Sequence, residues 1–391
     1  PSAGPSPSPS ASAESSDLLL LPWEILTHIA SYLPAHCLIN VLPKVCRTLS
    51  TVGEDATAWQ LRAQRLIGSR VRFPVGPRDD FDWPTSCLEM EQLITFWAGE
   101  VQHCITLPSS HIALVNSVLL LGGKGAVCAT GSRDYDVKLW DLEEGSNGAL
   151  LHTLGRKGDF TSHQGWVWCL ASEGPLLASG SFDSTVRLWD LQAGGTNRGL
   201  IRTGSAVLCL SCQNDVLLAG TFNKRINMYD TRAAEPLIKS VHLHGNAVMC
   251  LAADDTYIVS GSEDCTVAVY DCRAMKCQCF CLQLSSYLSS MSYSGYEVWA
   301  GDKKGMLHSF SMQTSTLKLL SRFDVGHTAL VTGIHKSAGC LYTCSTDKTI
   351  HIPSGPPRTL CTLCHAGVVH GAGIVAVSTG DETVNIWRPR K

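Results

Sequence analysis

Histidine, serine and aspartate recur along the chain in the combination that acyl-transfer enzymes use. His163, Ser179 and Asp183 form one such set, and His244 begins a second set with the same spacing. In a hydrolase the histidine takes the proton of a serine nucleophile, and the aspartate orients the histidine ring. A catalytic site occurs once in a chain, whereas this combination is repeated. The repetition therefore favours a structural role, and we predict that the chain is not an enzyme.

Two groups of cysteines have the spacing of cofactor or metal ligands. They are Cys361, Cys364 and His365, in a C-x-x-C-H string that could attach haem, and the cluster Cys272, Cys277, Cys279 and Cys281, which could bind zinc. A zinc site needs four convergent ligands, whereas strand alternation places only three members of the cluster on one face. The haem string falls at the junction of two repeats. We therefore predict ordinary thiols, with no cofactor and no metal.

The overall composition excludes several classes of protein. The chain has 391 residues, of which 45% are hydrophobic and 17% charged, and its formal net charge is -3. A protein that coats nucleic acid is expected to be basic, and this chain is not. The sequence also has no run of about 18 apolar residues, the length that a membrane-spanning helix needs. The 18 cysteines are scattered rather than dense enough for a disulfide scaffold. We predict a cytoplasmic or nuclear protein that binds neither nucleic acid nor membrane.

A segment of about 40 residues recurs from residue 101 to the end of the chain. The strings GSRDYDVKLWD at 131–141 and GSFDSTVRLWD at 180–190 are nearly identical, and further copies follow at 220–230, 261–271, 301–311, 344–354 and 378–388. Short runs of apolar residues separated by Gly, Ser, Asp and Asn indicate β-strands and tight turns. In the sixth copy Pro353 replaces the aromatic residue, and proline cannot donate to a central ladder.

These copies resemble WD repeats, which build β-propellers with one four-stranded blade per copy. Seven copies over residues 101–391 therefore imply a mainly β fold, a seven-bladed propeller. In a WD blade a histidine, a serine or threonine, the turn aspartate and the aromatic residue form a hydrogen-bonded set. By this resemblance the sets are His163, Ser179, Asp183 and Trp189, then His244, Ser260, Asp264 and Tyr270, with His327 placed the same distance before Asp347.

Other blades should depend more on apolar packing than on this hydrogen-bonded set. His111 and His365 lie at looser spacing from their turn residues, and the third and fifth copies lack the histidine.

The seventh copy ends at about Trp387, with room for only three strands behind it. We therefore predict that residues 102–107 supply its outer strand, because closure of the ring removes exposed sheet edges.

Residues 17–63 have the texture of a small helical unit. The apolar residues at helical spacing include Leu21, Ile25, Leu26, Ile29 and Leu33. A unit of fewer than about 50 residues rarely supplies its own core, so a partner or the rest of the chain should cover part of this surface. Residues 1–16, rich in Pro and Ser, are predicted to be disordered, and residues 64–100 to form a helical linker.

The order of motifs in this unit resembles an F-box. The matching elements are LPWEIL at 21–26, SYL at 31–33, VCR at 45–47 and the closing Trp59. In that family the helices dock on the Skp adaptor of cullin-based ubiquitin ligases. The residues that the resemblance assigns to adaptor binding are Leu21, Pro22, Ile25, Leu26, Ile29, Leu33, Leu38, Val45 and Cys46. Some of them should pack internally instead, and the sequence does not divide the two groups.

In propellers of this class the partner sits over the channel mouth, on loops that join the second and third strands. The residues before the turn position, which is Asp in most copies but Asn223 in the third and Lys304 in the fifth, are Arg133, Phe182, Phe222, Glu263, Lys303, Thr346 and Gly380, and Trp166 should point the same way. Receptors of phosphorylated segments need clustered arginines. Only two of these positions are basic, so we predict a substrate-binding face that makes a mixed apolar contact, centred on Arg133, Trp166, Phe182, Phe222, Glu263 and Lys303.

The combination of an F-box and WD repeats is identified as the F-box/WD-repeat class of substrate receptors. The resemblance implies a non-catalytic subunit of a Skp–cullin–F-box ubiquitin ligase, with the helical unit on the Skp adaptor and the propeller on a target protein. Two alternatives stay open. One is a WD-repeat scaffold that pairs with the adaptor outside any ligase. The other is a propeller enzyme, which would require a unique polar cluster in the channel.

Overall fold

The computed structural model describes residues 17–67, 81–98, 102–107, 110–122, 126–143, 145–155, 161–273, 276–294, 297–312, 317–337, 339, 341–351, 367–371, 374–378 and 383–389. The predicted disordered segment 1–16 lies outside these residues. None of the described helices is both long enough and apolar enough to cross a membrane.

The described part of the first hundred residues is helical. It contains a 3-10 helix (Asp17–Leu20) and helices α1 (Trp23–Ala30), α2 (Ala35–Asn40), α3 (Leu42–Val45), α4 (Arg47–Glu54), α5 (Ala56–Ile67) and α6 (Trp83–Ala98). Pro22 and Pro34 directly precede α1 and α2, where their fixed backbone angle suits a helix start. Helix α5 crosses residue 63, where the sequence suggested a boundary, and the division of the chain into domains stays a prediction.

Strand β1 (Gln102–Thr106) precedes the repeats, which form antiparallel sheets of short strands. Blade 1 contains β2 (Val115–Leu121), β3 (Val127–Ser132), β4 (Val137–Asp141) and β5 (Leu150–Leu154). Blade 2 contains β6 (Val167–Glu173), β7 (Leu176–Ser181), β8 (Thr185–Asp190) and β9 (Thr196–Arg202). Blade 3 contains β10 (Val207–Gln213), β11 (Val216–Thr221), β12 (Arg225–Asp230) and β13 (Leu237–His242).

The second half of the ring follows the same pattern with one exception. Blade 4 contains β14 (Val248–Ala253), β15 (Tyr257–Ser262), β16 (Thr266–Asp271) and β17 (Lys276–Gln283). Blade 5 contains β18 (Leu288–Ser294), β19 (Glu297–Asp302), β20 (Met306–Ser311) and β21 (Lys318–Asp324). A three-stranded sheet contains β22 (Val331–Lys336), β23 (Leu341–Ser345) and β24 (Ile350–His351). The closing blade contains β1, β25 (Gly367–Gly371), β26 (Ile374–Ser378) and β27 (Val384–Pro389).

The expected count of seven blades is therefore corrected: the described residues form six complete four-stranded blades. The sixth repeat gives only the three-stranded sheet, whose last strand, β24, has two residues. The physical reason lies in the sequence of that repeat. Pro353 follows β24 by two positions, outside the described residues, and a proline has no N–H to continue the ladder that an aromatic residue continues in the other copies.

Ring closure by the segment before the first repeat is confirmed. Strand β1 pairs antiparallel with β27, with Cys104 opposite Trp387 and Ile105 opposite Ile386. The Leu107 amide continues the pairing by donating to the Val384 carbonyl at 2.9 Å. Ile105 and Leu107 are buried in one apolar cluster with side chains of blade 1, so the closing strand joins the two ends of the ring through its core as well as through its backbone.

The hydrogen-bonded set of blade 2 is confirmed atom by atom. The two ring nitrogens of His163 contact Asp183 Oδ2 at 2.9 Å and Ser179 Oγ at 2.7 Å, and Trp189 Nε1 donates to Ser179 Oγ at 2.9 Å. The Asp183 carboxylate also accepts the backbone N–H of Gln164 and fixes the turn. Every polar atom of this buried group is thus engaged within the blade.

The other sets vary around this plan. His244 Nε2 contacts Ser260 Oγ at 2.7 Å. Its Nδ1 lies 2.8 Å from Thr266 Oγ1 and 3.8 Å from Asp264 Oδ2, so threonine is the nearer partner in this blade. His111, set aside in the sequence for its loose spacing, forms a complete set with Thr130, Asp134 and Trp140. Blade 5 also has polar support, because the buried His308 contacts Asp302 at 3.0 Å. The expectation that blade 5 depends mainly on apolar packing agrees with its buried Val298, Ala300 and Phe310, and the His308–Asp302 contact adds polar support that the sequence did not predict.

These buried histidines make the propeller sensitive to acid. Burial, together with the neighbouring His351, lowers the pKa of His327 to about 4. An unfolded histidine titrates near pH 6.5 and so takes up a proton that the folded form excludes. The contribution of His327 to the free energy of unfolding is therefore fully present above about pH 6.5. It falls by up to about 3 kcal/mol as the pH decreases towards 4.

We expect the free energy of unfolding to fall steadily between pH 7 and pH 4.5 in urea titrations. The His327→Gln protein should be less stable at pH 7 and should show a shallower pH dependence. His152→Gln, at an exposed position on β5, is the matched control and should keep the original slope. An unchanged slope in His327→Gln would refute this origin of the acid sensitivity.

The helical unit is fastened to the propeller by α6. Trp83, Cys87 and Met90 of α6 are buried in one cluster with side chains of α1, α2 and α5 and with Trp299 and Leu341 of the sheets. The Glu89 carboxylate of α6 accepts hydrogen bonds from Ser337 Oγ and the Gly339 amide, both at 2.7 Å. The helices and the sheets therefore share a single core.

A second carboxylate of α6 holds the helical unit together. The side chain of Glu91 accepts the Ala35 amide at 3.0 and 2.9 Å, which caps the start of α2, and it pairs with the Arg62 guanidinium of α5. Arg62 also donates to the Ser31 carbonyl at the end of α1. One partly buried ion pair therefore links three helices to α6.

Candidate docking surfaces

The structure divides the nine predicted adaptor-binding residues into three groups. Exposed side chains are Leu21, Pro22, Ile25, Ile29 and Val45; buried side chains are Leu26 and Leu38; half-buried side chains are Leu33 and Cys46. Leu26 and Leu38 contribute to the core shared with α6, and Leu33 packs against it. Leu26 and Leu38 cannot meet a partner unless the helical unit unfolds, whereas the exposed group can.

Helical geometry explains this division within α1. Ile25 and Ile29 are four residues apart and lie on one face of the helix, and both are exposed. Leu26 and Ala30 have the same spacing one residue further along, and both are buried in the shared core. The helix is therefore apolar on two faces. The inner face is satisfied by packing, whereas the outer face is left in water.

The outer face continues beyond the residues predicted from the sequence. Further exposed apolar side chains are Leu18, Leu20, Trp23, Tyr32, Ile39 and Val41. We call the exposed set the helical apolar surface: Leu18, Leu20, Leu21, Pro22, Trp23, Ile25, Ile29, Tyr32, Ile39, Val41 and Val45. The run of four leucines at 18–21 signals part of it in the sequence. Concentrated apolar exposure of this kind marks an interaction site.

Two contacts hold polar and aromatic members of this surface in place. Trp23 Nε1 donates to Asp55 Oδ2 at 2.7 Å. The Arg65 guanidinium lies 3.3 Å from the centroid of the Tyr32 ring and also donates to the Ser31 carbonyl at 2.8 Å. The surface is therefore preorganised, and binding to it loses less side-chain entropy.

Most residues predicted at the channel mouth are accessible. Phe222, Trp166 and Phe182 are exposed by 59%, 41% and 39%, and Glu263 and Lys303 are also exposed. Arg133 and Thr346 are half-buried. Gly380 lies outside the described residues.

The structure brings Arg133, Trp166 and Phe182 together and adds Trp168. The Arg133 guanidinium lies 4.8 Å from the Trp166 ring centroid and 5.8 Å from that of Trp168. The Phe182 ring lies 5.5 and 5.1 Å from the same two rings. Arg133 Nε donates to Asn116 Oδ1 at 3.1 Å. We call Arg133, Trp166, Trp168 and Phe182 the Arg133 cluster.

Sequence reasoning missed Trp168 and Asn116. The alternation of Trp166, Val167 and Trp168 was a signal, because side chains two residues apart along a strand point to the same side. Among the described residues, no ring contact or ion pair joins Phe222, Glu263 or Lys303 to the Arg133 cluster. Lys303 instead lies 5.4 Å from the centroid of the Tyr287 ring.

A channel of about 640 Å³ opens beside the Arg133 cluster. It is lined by the first strands of the sheets and by Arg133, Trp168 and Thr346. Leu208, Met249 and Leu330 are among its apolar walls, and Ser289 and Thr332 contribute hydroxyl groups. Arg133 is the only charged residue among the described residues that line it. Among the described lining residues the wall is therefore mixed, with apolar side chains, hydroxyl groups and one cation.

The described residues include no group of three or more histidine, cysteine or acidic side chains that could hold a metal ion. Burial raises the pKa of the Cys128 and Cys344 thiols to about 12, so both are neutral at physiological pH. The string Cys361 to His365 lies outside the described residues, as do the side chains of Cys277, Cys279 and Cys281. The predictions about those cysteines therefore stay predictions.

Comparison with known proteins matches this architecture. Residues 154–190 and 235–271 match the model of the family "WD domain, G-beta repeat". F-box/WD repeat-containing protein 9 of Bos taurus is 44% identical over 382 residues, which cover 95% of this chain and 82% of that protein. The Homo sapiens protein of the same name is 45% identical over the same shares.

Two further proteins are more distantly similar: one matches less of the sequence, and the other shares the fold. F-box/WD repeat-containing protein mec-15 of Caenorhabditis elegans is 33% identical over 170 residues, 41% of this chain and 40% of that protein. The WD40 β-propeller domain of Doa1 aligns with a TM-score of 0.62 over 75% of this chain and 99% of that domain. At 19% identity this alignment shows the propeller fold alone.

Proposed function

The chain belongs to the F-box/WD repeat-containing protein family, and we propose that it is the substrate-recognition subunit of a Skp–cullin–F-box ubiquitin ligase. In this proposal the helical apolar surface docks the Skp adaptor, and the channel mouth of the propeller binds the target protein. The observation that carries the proposal is the outer face of α1, where Ile25 and Ile29 stay in water although the same helix has a fully packed inner face.

The proposed mechanism is proximity rather than chemistry by this chain. Helix α6 packs the helical unit against the propeller sheets in one core, and this contact would hold a target bound at the propeller near the adaptor. A target lysine kept near a charged ubiquitin carrier reacts at a raised effective concentration. The His163 set supports this view, because both ring nitrogens are engaged inside the blade and the ring is buried.

The proposal is tested by mixing the purified full chain with purified Skp adaptor. We expect a complex with one copy of each in size-exclusion chromatography with light scattering. In cells, a protein captured by the propeller should become longer-lived when cullin activity is blocked. Absence of the adaptor complex would overturn the proposal. An adaptor complex whose captured proteins are indifferent to cullin activity would favour the scaffold alternative.

A further inference from the structure

The Arg133 guanidinium lacks a counter-ion in the described part of the chain. Its Nε donates to Asn116, and its two terminal nitrogens have no acceptor among the described residues. The neighbouring turn carboxylate of Asp134 is engaged by His111 and by the amides of Ile112 and Asp136. A half-buried cation is less screened by water and attracts an anion more strongly than an exposed one does.

The position of this cation is fixed before any ligand arrives. Its guanidinium carbon lies 4.8 and 5.8 Å from the centroids of the Trp166 and Trp168 rings, and the Phe182 ring packs against both rings. The amides of Arg133 and Phe182 donate to the carbonyls of Leu114 and Trp166, which fixes the two turns that carry them. The two terminal nitrogens have no acceptor among the described residues, and such nitrogens can form paired hydrogen bonds with a carboxylate.

The cavity beside Arg133 suits an apolar side chain. Leu208, Met249 and Leu330 contribute to its wall, and its volume of about 640 Å³ exceeds that of any single side chain. Pockets that bind small groups are largely apolar, with a few polar groups that fix orientation. Here Arg133 supplies the charged group, and hydroxyl groups such as those of Ser289 and Thr332 offer further polar contacts.

From this geometry we propose that Arg133 and the adjoining channel bind a carboxylate that lies beside a large apolar side chain in the target protein. One guanidinium matches the single charge of a carboxylate. A phosphate group carries a charge of about -1.5 to -2, and none of the other described channel-lining residues would neutralise the remainder. The inference rests on the proposed receptor function, because that function identifies the ligand as a target protein. It adds which chemical group of the target is recognised.

A carboxylate beside an apolar side chain can come from two sources. One is an Asp or Glu side chain within the target, and the other is the free carboxyl terminus of a target that ends in an apolar residue. Both present the same group to Arg133. Amidation of the peptide end removes the terminal carboxylate but leaves the side-chain carboxylate in place, so it distinguishes the two sources.

The test measures binding of four fluorescein-labelled hexapeptides to the purified full chain by anisotropy. The sequences are Gly-Ser-Gly-Ser-Gly-Leu as the free acid, the same peptide as the amide, Gly-Ser-Gly-Glu-Leu-Gly as the amide, and Gly-Ser-Gly-phosphoSer-Leu-Gly as the amide. We expect one or both of the carboxylate peptides to bind at least about 10-fold more tightly than the uncharged amide, because a charged hydrogen-bonded pair is gained. The free acid identifies a chain terminus, and the glutamate peptide identifies a side chain.

The variant Arg133→Gln should weaken carboxylate binding by about 10-fold or more, whereas Arg133→Lys should restore it only in part, because lysine lacks the planar fork. Arg198→Gln, at an exposed position on β9, is the matched control and should bind as the original chain does. Stronger binding of the phosphopeptide than of both carboxylates, equal binding of the uncharged amide, or no binding at millimolar peptide would each overturn the inference.

Adaptor binding is measured on the same samples to separate the two ideas. If the chain binds the adaptor but shows no carboxylate preference, only the inference fails. If it shows the preference but binds no adaptor, only the proposed ligase function fails. Arg133→Gln should leave the adaptor complex intact, since the cluster shares no described contact with the helical apolar surface.

Discussion

Replacement of both Ile25 and Val45 by aspartate is expected to abolish binding of the Skp adaptor while the protein stays folded. Their side chains are 46% and 62% exposed, so new charges there remain hydrated in the free chain. In a complex the same charges would lie in a desolvated interface. Apolar anchors at an interface centre typically contribute about 2 kcal/mol or more each, so the dissociation constant should rise by at least about 100-fold.

The measurement is isothermal titration of purified adaptor into the full chain. Leu237→Asp with Ile238→Asp, at exposed apolar positions on β13, is the matched control and should bind normally. Leu26→Asp should also lose binding, but with a lower melting temperature, because Leu26 belongs to the shared core. Unimpaired binding by the Ile25 and Val45 double variant would refute the assignment of this surface.

Deletion of β1, residues 102–106, is expected to lower the melting temperature by about 10 °C or more. The deletion removes Ile105 from a packed core and exposes the whole edge of β27. Loss of one large buried aliphatic side chain costs about 2–5 kcal/mol, and the lost strand pairing adds to it. In a domain of this size each kcal/mol corresponds to roughly 2–4 °C. Aggregation after unfolding should also increase, since an unpaired edge templates further strands.

Differential scanning calorimetry of the deletion variant checks this result. Two point variants on the same strand sharpen it, because neighbouring residues face opposite sides of the sheet. Ile105→Asn should be strongly destabilised, whereas Cys104→Ser, at an exposed position, should melt close to the original temperature. An unchanged melting temperature for the deletion would mean that β1 does not hold the ring closed.

Features set by local spacing could be predicted from the sequence. The blade-2 set of His163 and the closing strand were both predicted, because each follows from a fixed distance along a repeat or from a strand that is missing at its end. His111 was underestimated because its loop is longer, although its ring reaches the same partners. The count of complete blades was wrong for the sixth copy, where Pro353 in place of the aromatic residue was already a signal in the sequence.

Features set by packing between distant segments could not be predicted. Leu26 and Ile25 are adjacent apolar residues, and only the contact of α1 with the shared core makes one buried and the other exposed. The Arg133 cluster combines turns of two different blades. The contacts between Arg133 and the tryptophan rings depend on how neighbouring blades pack, and residue spacing in the sequence does not predict that packing.

We propose that two separate docking surfaces on this chain serve two different partners. This proposal is tested most directly by quantitative affinity capture from cells with cullin activity blocked, using the original chain, the Ile25→Asp and Val45→Asp double variant, and Arg133→Gln. We predict that the double variant loses the Skp adaptor and keeps the captured target proteins, while Arg133→Gln keeps the adaptor and loses those targets. Loss of both partners in either folded variant, or of neither partner in both, would contradict the account.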